Sequence, residues 1–160
     1  EWSAKLGALE AIESGTTAIV DHHESPNAIE GSLDVIANAC AEVGVRVNCS
    51  YGVTDRHGKE SAQRGLEENG RYLASGGTGM VGVHAAFTCE SDTLLAASEL
   101  AQNYGVGVHI HVAEGTDDLQ ANDRLKGLSR DDWLLVHGVH LDEDVFQELY
   151  QDQKILTLHL

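Results

Sequence analysis

Apolar positions along the chain fall into two alternating kinds of segment. In residues 2–14, Trp2, Leu6, Leu9 and Ile12 recur at helical spacing, and Gly15 is placed to end the helix. Thr16 to Val20 is then continuously β-branched or apolar, as a buried strand is, and exits into Asp21-His22-His23-Glu24. The same switch repeats. Helical spacing returns over 28–43 (Ile29, Leu33, Ile36, Ala37, Cys40), 59–74, 91–104, about 117–128 and 142–150. Strand-like runs cover 45–51, 80–87, 106–112, 133–137 and 154–159. The helix over 59–74 reads as polar and solvent-facing, Ser91 as the cap of the next one, and 117–128 as the weakest.

Strands therefore begin near residues 16, 45, 80, 106, 133 and 154, in units of about 21 to 35 residues, with no hairpin dipeptide between them. Strand alternating with helix implies a parallel sheet of βα units. An open doubly wound sheet and part of a closed eight-stranded barrel both fit this pattern. The polar residues tip the choice. Asp21-His22-His23, His84, His109 and His111, His137 and His159 all fall at or near the C-terminal ends of strands, the rim on which a barrel builds its site. A Gly-x-Gly-x-x-Gly turn is absent, and Gly76-Gly77-Thr78-Gly79 precedes a strand where a phosphate loop would open a helix. The expected fold is α/β, a partial TIM-type (β/α)8 barrel of about six βα units. A whole barrel takes about 250 residues. Residues 1–160 thus read as the central part of one barrel domain, lacking first and last strands.

Composition narrows the function classes. Lys plus Arg number 10 against 26 Asp plus Glu, a formal net charge of −16, which argues against phosphate backbones and anionic membranes as partners. Cys40, Cys49 and Cys89 form no Cys-x-x-Cys pair, so a reducing, cytoplasmic setting is expected, with the thiols as small core residues. No apolar run approaches the roughly 20 residues that cross a bilayer.

The chemistry centres on His109-Ile110-His111-Val112-Ala113-Glu114. Side chains alternate along a strand, so His109 and His111 share a face, and Glu114 lies where the strand gives way to a loop. Neutral imidazole is the commonest metal ligand, and a carboxylate outside the ligand set is what a metal-activated water needs for proton transfer. His22 and His23 lie on opposite faces, so at most one can reach the site. His57, in a polar loop beside Gly58, reads as solvated.

Gly15-Thr16-Thr17-Ala18-Ile19-Val20-Asp21, Val108 to Glu114 and Leu135-Val136-His137-Gly138-Val139-His140-Leu141 resemble the amidohydrolase superfamily. Within it they resemble the branch of adenosylhomocysteine, guanine and triazine deaminases and chlorohydrolases. Asp21 to Pro26 and Gly82 to Thr88 are similar to SsnA-type aminohydrolases. The resemblance implies a hydrolase acting on C–N bonds of a small heterocyclic or related substrate, with one divalent metal, zinc or iron. It makes His111 a metal ligand, Glu114 the proton shuttle, His137 the group that polarises the nucleophile, and His84 a substrate contact. His109, His22 and Asp21 are then candidates to support the ligand. The family's His-x-His on the first barrel strand and Asp on the eighth have no counterpart by motif in these residues, so the site is expected to be incomplete in this chain, and this stretch alone inactive. Leu160 also stands where the family continues His-Asn-Pro after the position of His159. The rival reading is a catalytically inert fragment or assembly module. A nucleotide-binding α/β domain comes third, lacking its Gly-rich turn. Six strands leave a parallel edge uncovered, so a homo-oligomer or closure by another chain is expected.

Overall fold

The computed structural model describes residues 1–141, 144 and 156–157. Along these the order is α1 (Trp2–Glu13), β1 (Ala18–Val20), α2 (Ser32–Val43), β2 (Arg46–Asn48), α3 (Lys59–Ala74), β3 (Val81–Ala85), α4 (Ser91–Tyr104), β4 (Val108–Val112), β5 (Leu134–His137) and β6 (Leu156–Thr157). β1 pairs with β2, and β3 to β6 pair in sequence order, every ladder parallel. Parallel bridges Cys49↔Gly79 and Val53↔Val83 carry the chain beyond β2 onto the β3 side. Six parallel strands in order, with α2, α3 and α4 as crossovers, make the expected partial barrel. The helix expected over 142–150 lies outside the described residues except for Asp144, as does His159.

The core lies between sheet and helices. Ile29, Leu33, Leu94, Ile110, Leu125, Trp133 and Leu135 are buried completely or nearly so, and all three cysteines are free and buried. Gly44 ends α2 at φ 96°, a left-handed conformation that glycine adopts without Cβ strain.

The expected first helix is present, and its apolar stripe is largely exposed: Trp2 is 81% exposed, Leu6 58%, and Ala8 is the helix's one buried residue. Three expectations are corrected. First, α3 is no solvent-facing helix. It buries Ala62, Leu66, Glu68, Asn69 and Tyr72. The Glu68 carboxylate accepts the N–H groups of Gly31 (3.0 Å) and Leu33 (3.2 Å) at the start of α2 and pairs with Arg71. Ser91 is the first helical residue of α4; the N-cap is Glu90, with no side-chain capping bond. Finally, Thr116–Leu125 is a 3-10 helix. Side chains tie it down at both ends, Asp118 to the Glu114 N–H and Arg124 to the Cys89 carbonyl, and these anchors favour the tighter winding.

Among the described residues no helix is long and apolar enough to cross a membrane.

Candidate metal centre

β1 and β4 each deliver imidazoles to one spot at their C-terminal ends. The ring centroids of His22 and His109 are 4.5 Å apart, those of His22 and His111 4.4 Å, and those of His109 and His111 5.9 Å. One nitrogen from each of the three falls within 4.8 Å of the others. Two more rings adjoin His111, His137 at 5.3 Å and His84 at 5.7 Å. The parity of β1 decides which of its two histidines takes part. His22 turns to the cluster, while His23 donates from Nε2 to Ser25 Oγ (2.8 Å), which in turn donates a hydrogen bond to the Ala28 carbonyl.

Hydrogen bonds fix the tautomers. His111 donates from Nδ1 to the His84 carbonyl at 2.7 Å, leaving Nε2 with its lone pair. Ser50 donates to the Asp21 carbonyl at 2.7 Å, so it accepts from His109 Nδ1 at 3.3 Å, and His109 Nε2 is likewise left bare. His22 differs. Both of its nitrogens are buried and neither has a hydrogen-bond partner. A buried unsatisfied polar group costs about 1–3 kcal/mol, so this ring is held at a cost that its surroundings do not relieve. Burial, then the neighbouring imidazoles, pushes its pKa down to about 2, and burial followed by His111 brings His109 to about 4. Burial is also the main cause lowering His111 and His84. All four are therefore neutral near pH 7, the form that ligates a metal. Orphaned, neutral, sulfur-free nitrogen donors fit a divalent transition ion, and they do not fit calcium or magnesium.

Backbone strain gathers here too. Ala113, between His111 and Glu114, has φ 47°, and His137 has φ 76°; among the described residues they alone, glycine apart, have positive φ. A register shift between Val83 and Ala85 bulges β3 at His84, whose carbonyl meets His111 and whose Nδ1 donates to Thr88 Oγ1 at 3.0 Å. Glu114 stays 64% exposed at the mouth, Oε1 3.7 Å from His137 Nε2. Asp21 is half-buried behind the cluster, its Oδ2 lacks a partner, and burial raises its pKa.

Sequence reasoning missed three contributors. Gly52 is required by His22: a Cβ there would lie 2.6 Å from His22 Nε2. Asp118 anchors the Glu114 backbone, and Ser50 orients His109. None carries a motif: Gly52 and Ser50 act through contacts distant in sequence, and Asp118 through a local backbone bond set by the 3-10 winding. His57 is exposed, as expected, and also meets Glu24 at 3.1 Å, the carboxylate that Arg56 meets at 2.9 Å.

The sequence matches the amidohydrolase family over residues 1–159. The chain belongs to that family. It is 33% identical over 175 residues to a 5'-deoxyadenosine deaminase of Methanopyrus kandleri, covering 99% of this chain and 39% of the relative. It thus spans about two fifths of the length of that curated relative. Among solved structures it superimposes on an atrazine chlorohydrolase from Arthrobacter aurescens TC1 complexed with zinc, with TM-score 0.74 at 17% identity, over 93% of this chain and 40% of the other. An adenosine deaminase from Xanthomonas campestris with bound zinc gives TM-score 0.74 at 18% identity, over 93% and 36%. These likenesses confirm the family and the fold read from the sequence.

Proposed function

We propose that the polypeptide carrying this stretch is a metal-dependent aminohydrolase that removes an amino group from a nitrogen heterocycle as ammonia, leaving oxygen from water in its place. The observation that carries this reading is Glu114 beside His137 at the rim of an imidazole cluster in an amidohydrolase-family chain. The deaminase name of the Methanopyrus relative favours an aminated purine nucleoside as substrate. Zinc or iron is the assigned ion, with His111 Nε2 among its ligands. When bound, such an ion lowers the pKa of a coordinated water from 15.7 toward about 7.

The chain's own groups do the rest. Glu114, exposed at the mouth, would take one proton from the attacking water and pass it to a ring nitrogen, then take the second from the added hydroxyl and pass it to the departing amine, which leaves as ammonia. His137, held at a strained φ next to that carboxylate, stabilises charge developing on the attacked carbon's oxygen. His84, with Nδ1 engaged by Thr88, offers Nε2 to the substrate. Coverage of the exposed α1 face by another chain, or by a second copy, belongs to the same reading, and a monodisperse monomer in light scattering would count against it.

The test is ammonia release from 5'-deoxyadenosine by the polypeptide at the length of its relatives, with metal content measured on the same samples. Glu114→Gln is expected to lower kcat by about 10²–10⁴-fold with the metal retained. Unchanged turnover in that variant would remove Glu114 from the mechanism, and no turnover of any aminated heterocycle in wild type would favour the inert reading.

A further inference from the structure

We propose that Arg56 is a positioning residue for substrate binding, acting through Thr54 and Thr88 on the imidazole of His84. The inference rests on the function proposed above, in which His84 contacts the substrate, and it adds what aims that ring.

A continuous line of hydrogen bonds carries it. Glu24, in the loop after β1, accepts from Arg56 Nη2 at 2.9 Å. Arg56 lies on the 3-10 turn Asp55–His57 and donates from Nε to Thr54 Oγ1 at 3.2 Å. Thr54 Oγ1 donates in turn to the Thr88 carbonyl at 3.4 Å. The Thr88 hydroxyl donates to the Ala85 carbonyl at 3.0 Å, so toward His84 Nδ1, also 3.0 Å away, it can only accept. His84 therefore holds its proton on Nδ1, and its bare Nε2 is an acceptor for a substrate hydroxyl or N–H. Thr54 is 4% exposed and Thr88 7%, which shields the middle of the line from water.

Two further observations separate this role from upkeep of the fold. The Arg56–Glu24 ion pair is partly open to solvent, a kind that adds little stability. The turn itself is pinned by Asp55, whose carboxylate accepts the Glu90 N–H at 2.7 Å and the Thr93 hydroxyl at 3.1 Å. Beyond β2 the chain meets β3 through isolated bridges, Val53↔Val83 among them, in place of a continuous ladder. The line from Glu24 to His84 crosses that junction, from the exit of β1 to the exit of β3, where side chains decide how the two parts of the rim face each other.

Ring nitrogen-15 shifts of His84 in the 160-residue chain at pH 8, where imidazole is neutral, report which nitrogen holds the proton. A single Nδ1–H tautomer is expected in wild type, and a mixture in Thr88→Val and in Arg56→Met. A wild-type proton on Nε2, or an Arg56→Met ring indistinguishable from wild type, would overturn the proposal. In the polypeptide at the length of its relatives, Arg56→Met should raise KM for 5'-deoxyadenosine by about tenfold and change kcat by less than about threefold. Arg56→Lys should not restore KM, because an ammonium lacks the fork that holds Glu24 and Thr54 together. Arg56→Met with Thr88→Val should be no worse than the poorer single variant, and effects that multiply would sever Arg56 from His84. An unchanged KM in His84→Phe would overturn the substrate contact and this proposal together, whereas a raised KM there beside a normal one in Arg56→Met would overturn the positioning role alone. If wild type turns over no 5'-deoxyadenosine, the nitrogen shifts still decide whether Arg56 sets the ring.

Discussion

Between α2 and α3 lies one buried polar cluster, and at the C-terminal ends of β1 and β4 lies another. In the first, Glu68 is 2% exposed, and its two oxygens accept two backbone N–H groups and the Arg71 guanidinium. Its neighbour Asn69 accepts from the Tyr51 and Gly82 N–H groups and donates to the Tyr51 and Gly65 carbonyls. In the second, His22 is buried with nothing on either nitrogen, and Asp21 Oδ2 is orphaned. Buried polar groups that are fully satisfied fix a fold, while a buried group left unmatched marks strain or an absent ligand. The first cluster closes upon itself. The second leaves both His22 nitrogens and Asp21 Oδ2 unmatched by protein groups.

Breaking the closed cluster should have the largest effect on stability. Glu68→Ala strips two N–H groups at the start of α2 of their acceptor and leaves half-exposed Arg71 with Asp34 alone, a loss of about 3 kcal/mol in urea unfolding. A pH series sharpens the point. Burial opposes ionisation of Glu68, but the bonds from Arg71, Gly31 and Leu33 outweigh it and hold its pKa below the ordinary 4.5. A depressed carboxylate stabilises the fold above its unfolded pKa, and that contribution is lost as pH falls through the folded value. The gap in unfolding free energy between wild type and Glu68→Gln is therefore expected to be full at pH 7 and to close below about pH 4.5. A gap that stays constant down to pH 3 would mean the charge of Glu68 contributes nothing.

Asn69→Leu should come next, at about 2–3 kcal/mol. Its amide spans the β2–β3 junction, where the ladder is reduced to separate bridges at Cys49↔Gly79 and Val53↔Val83. Hydrogen exchange should accelerate first at the Tyr51 and Gly82 amides. Uniform acceleration across the sheet would mean that the junction is not held locally.

Much of this was legible in the sequence, and what was not has one cause. The strand–helix alternation is local, so the six strands and the four long helices could be read from apolar spacing. The shared face of His109 and His111 follows from strand parity alone. Parity could not say whether His22 or His23 turns inward, since that depends on how β1 registers against β2. Nor could it reveal Glu68 and Asn69, because a helix rich in Lys, Glu, Arg and Asn looks solvated until its polar side chains find backbone partners from other elements. The bulge at His84 and the 3-10 winding after β4 are set by contacts some 4 to 35 residues away. The apolar stripe of α1 was read as helical, and it is; its exposure was not legible, since periodicity tells which face is apolar and not what covers it.

Gly52→Ala should do little to the closed cluster and much to the open one. The new methyl would meet the far end of the His22 side chain, so the ring can swing aside at about 1–2 kcal/mol. Its nitrogen then leaves the group formed with His109 and His111. Zinc affinity is expected to fall at least tenfold, with unfolding cooperativity preserved. Undiminished affinity would show that the position of His22 is not what Gly52 protects.

The smallest effect should also carry the opposite sign. His22→Phe keeps the ring's bulk between His109 and His111 and removes two buried nitrogens that bond to nothing. Replacing unsatisfied polar atoms with apolar ones of similar shape is neutral or favourable, so metal-free His22→Phe should be more stable than metal-free wild type by about 1 kcal/mol. Added zinc should reverse the order, because an ion that binds only the folded state stabilises wild type by about 2.7 kcal/mol at a hundredfold excess over its dissociation constant. His22→Phe offers no such gain. Glu68→Leu, by contrast, should destabilise with or without metal, because the Gly31 and Leu33 N–H groups would have no other acceptor. If His22→Phe instead proves destabilising without metal, the His22 nitrogens are already matched in solution, and the difference between the two clusters is one of degree.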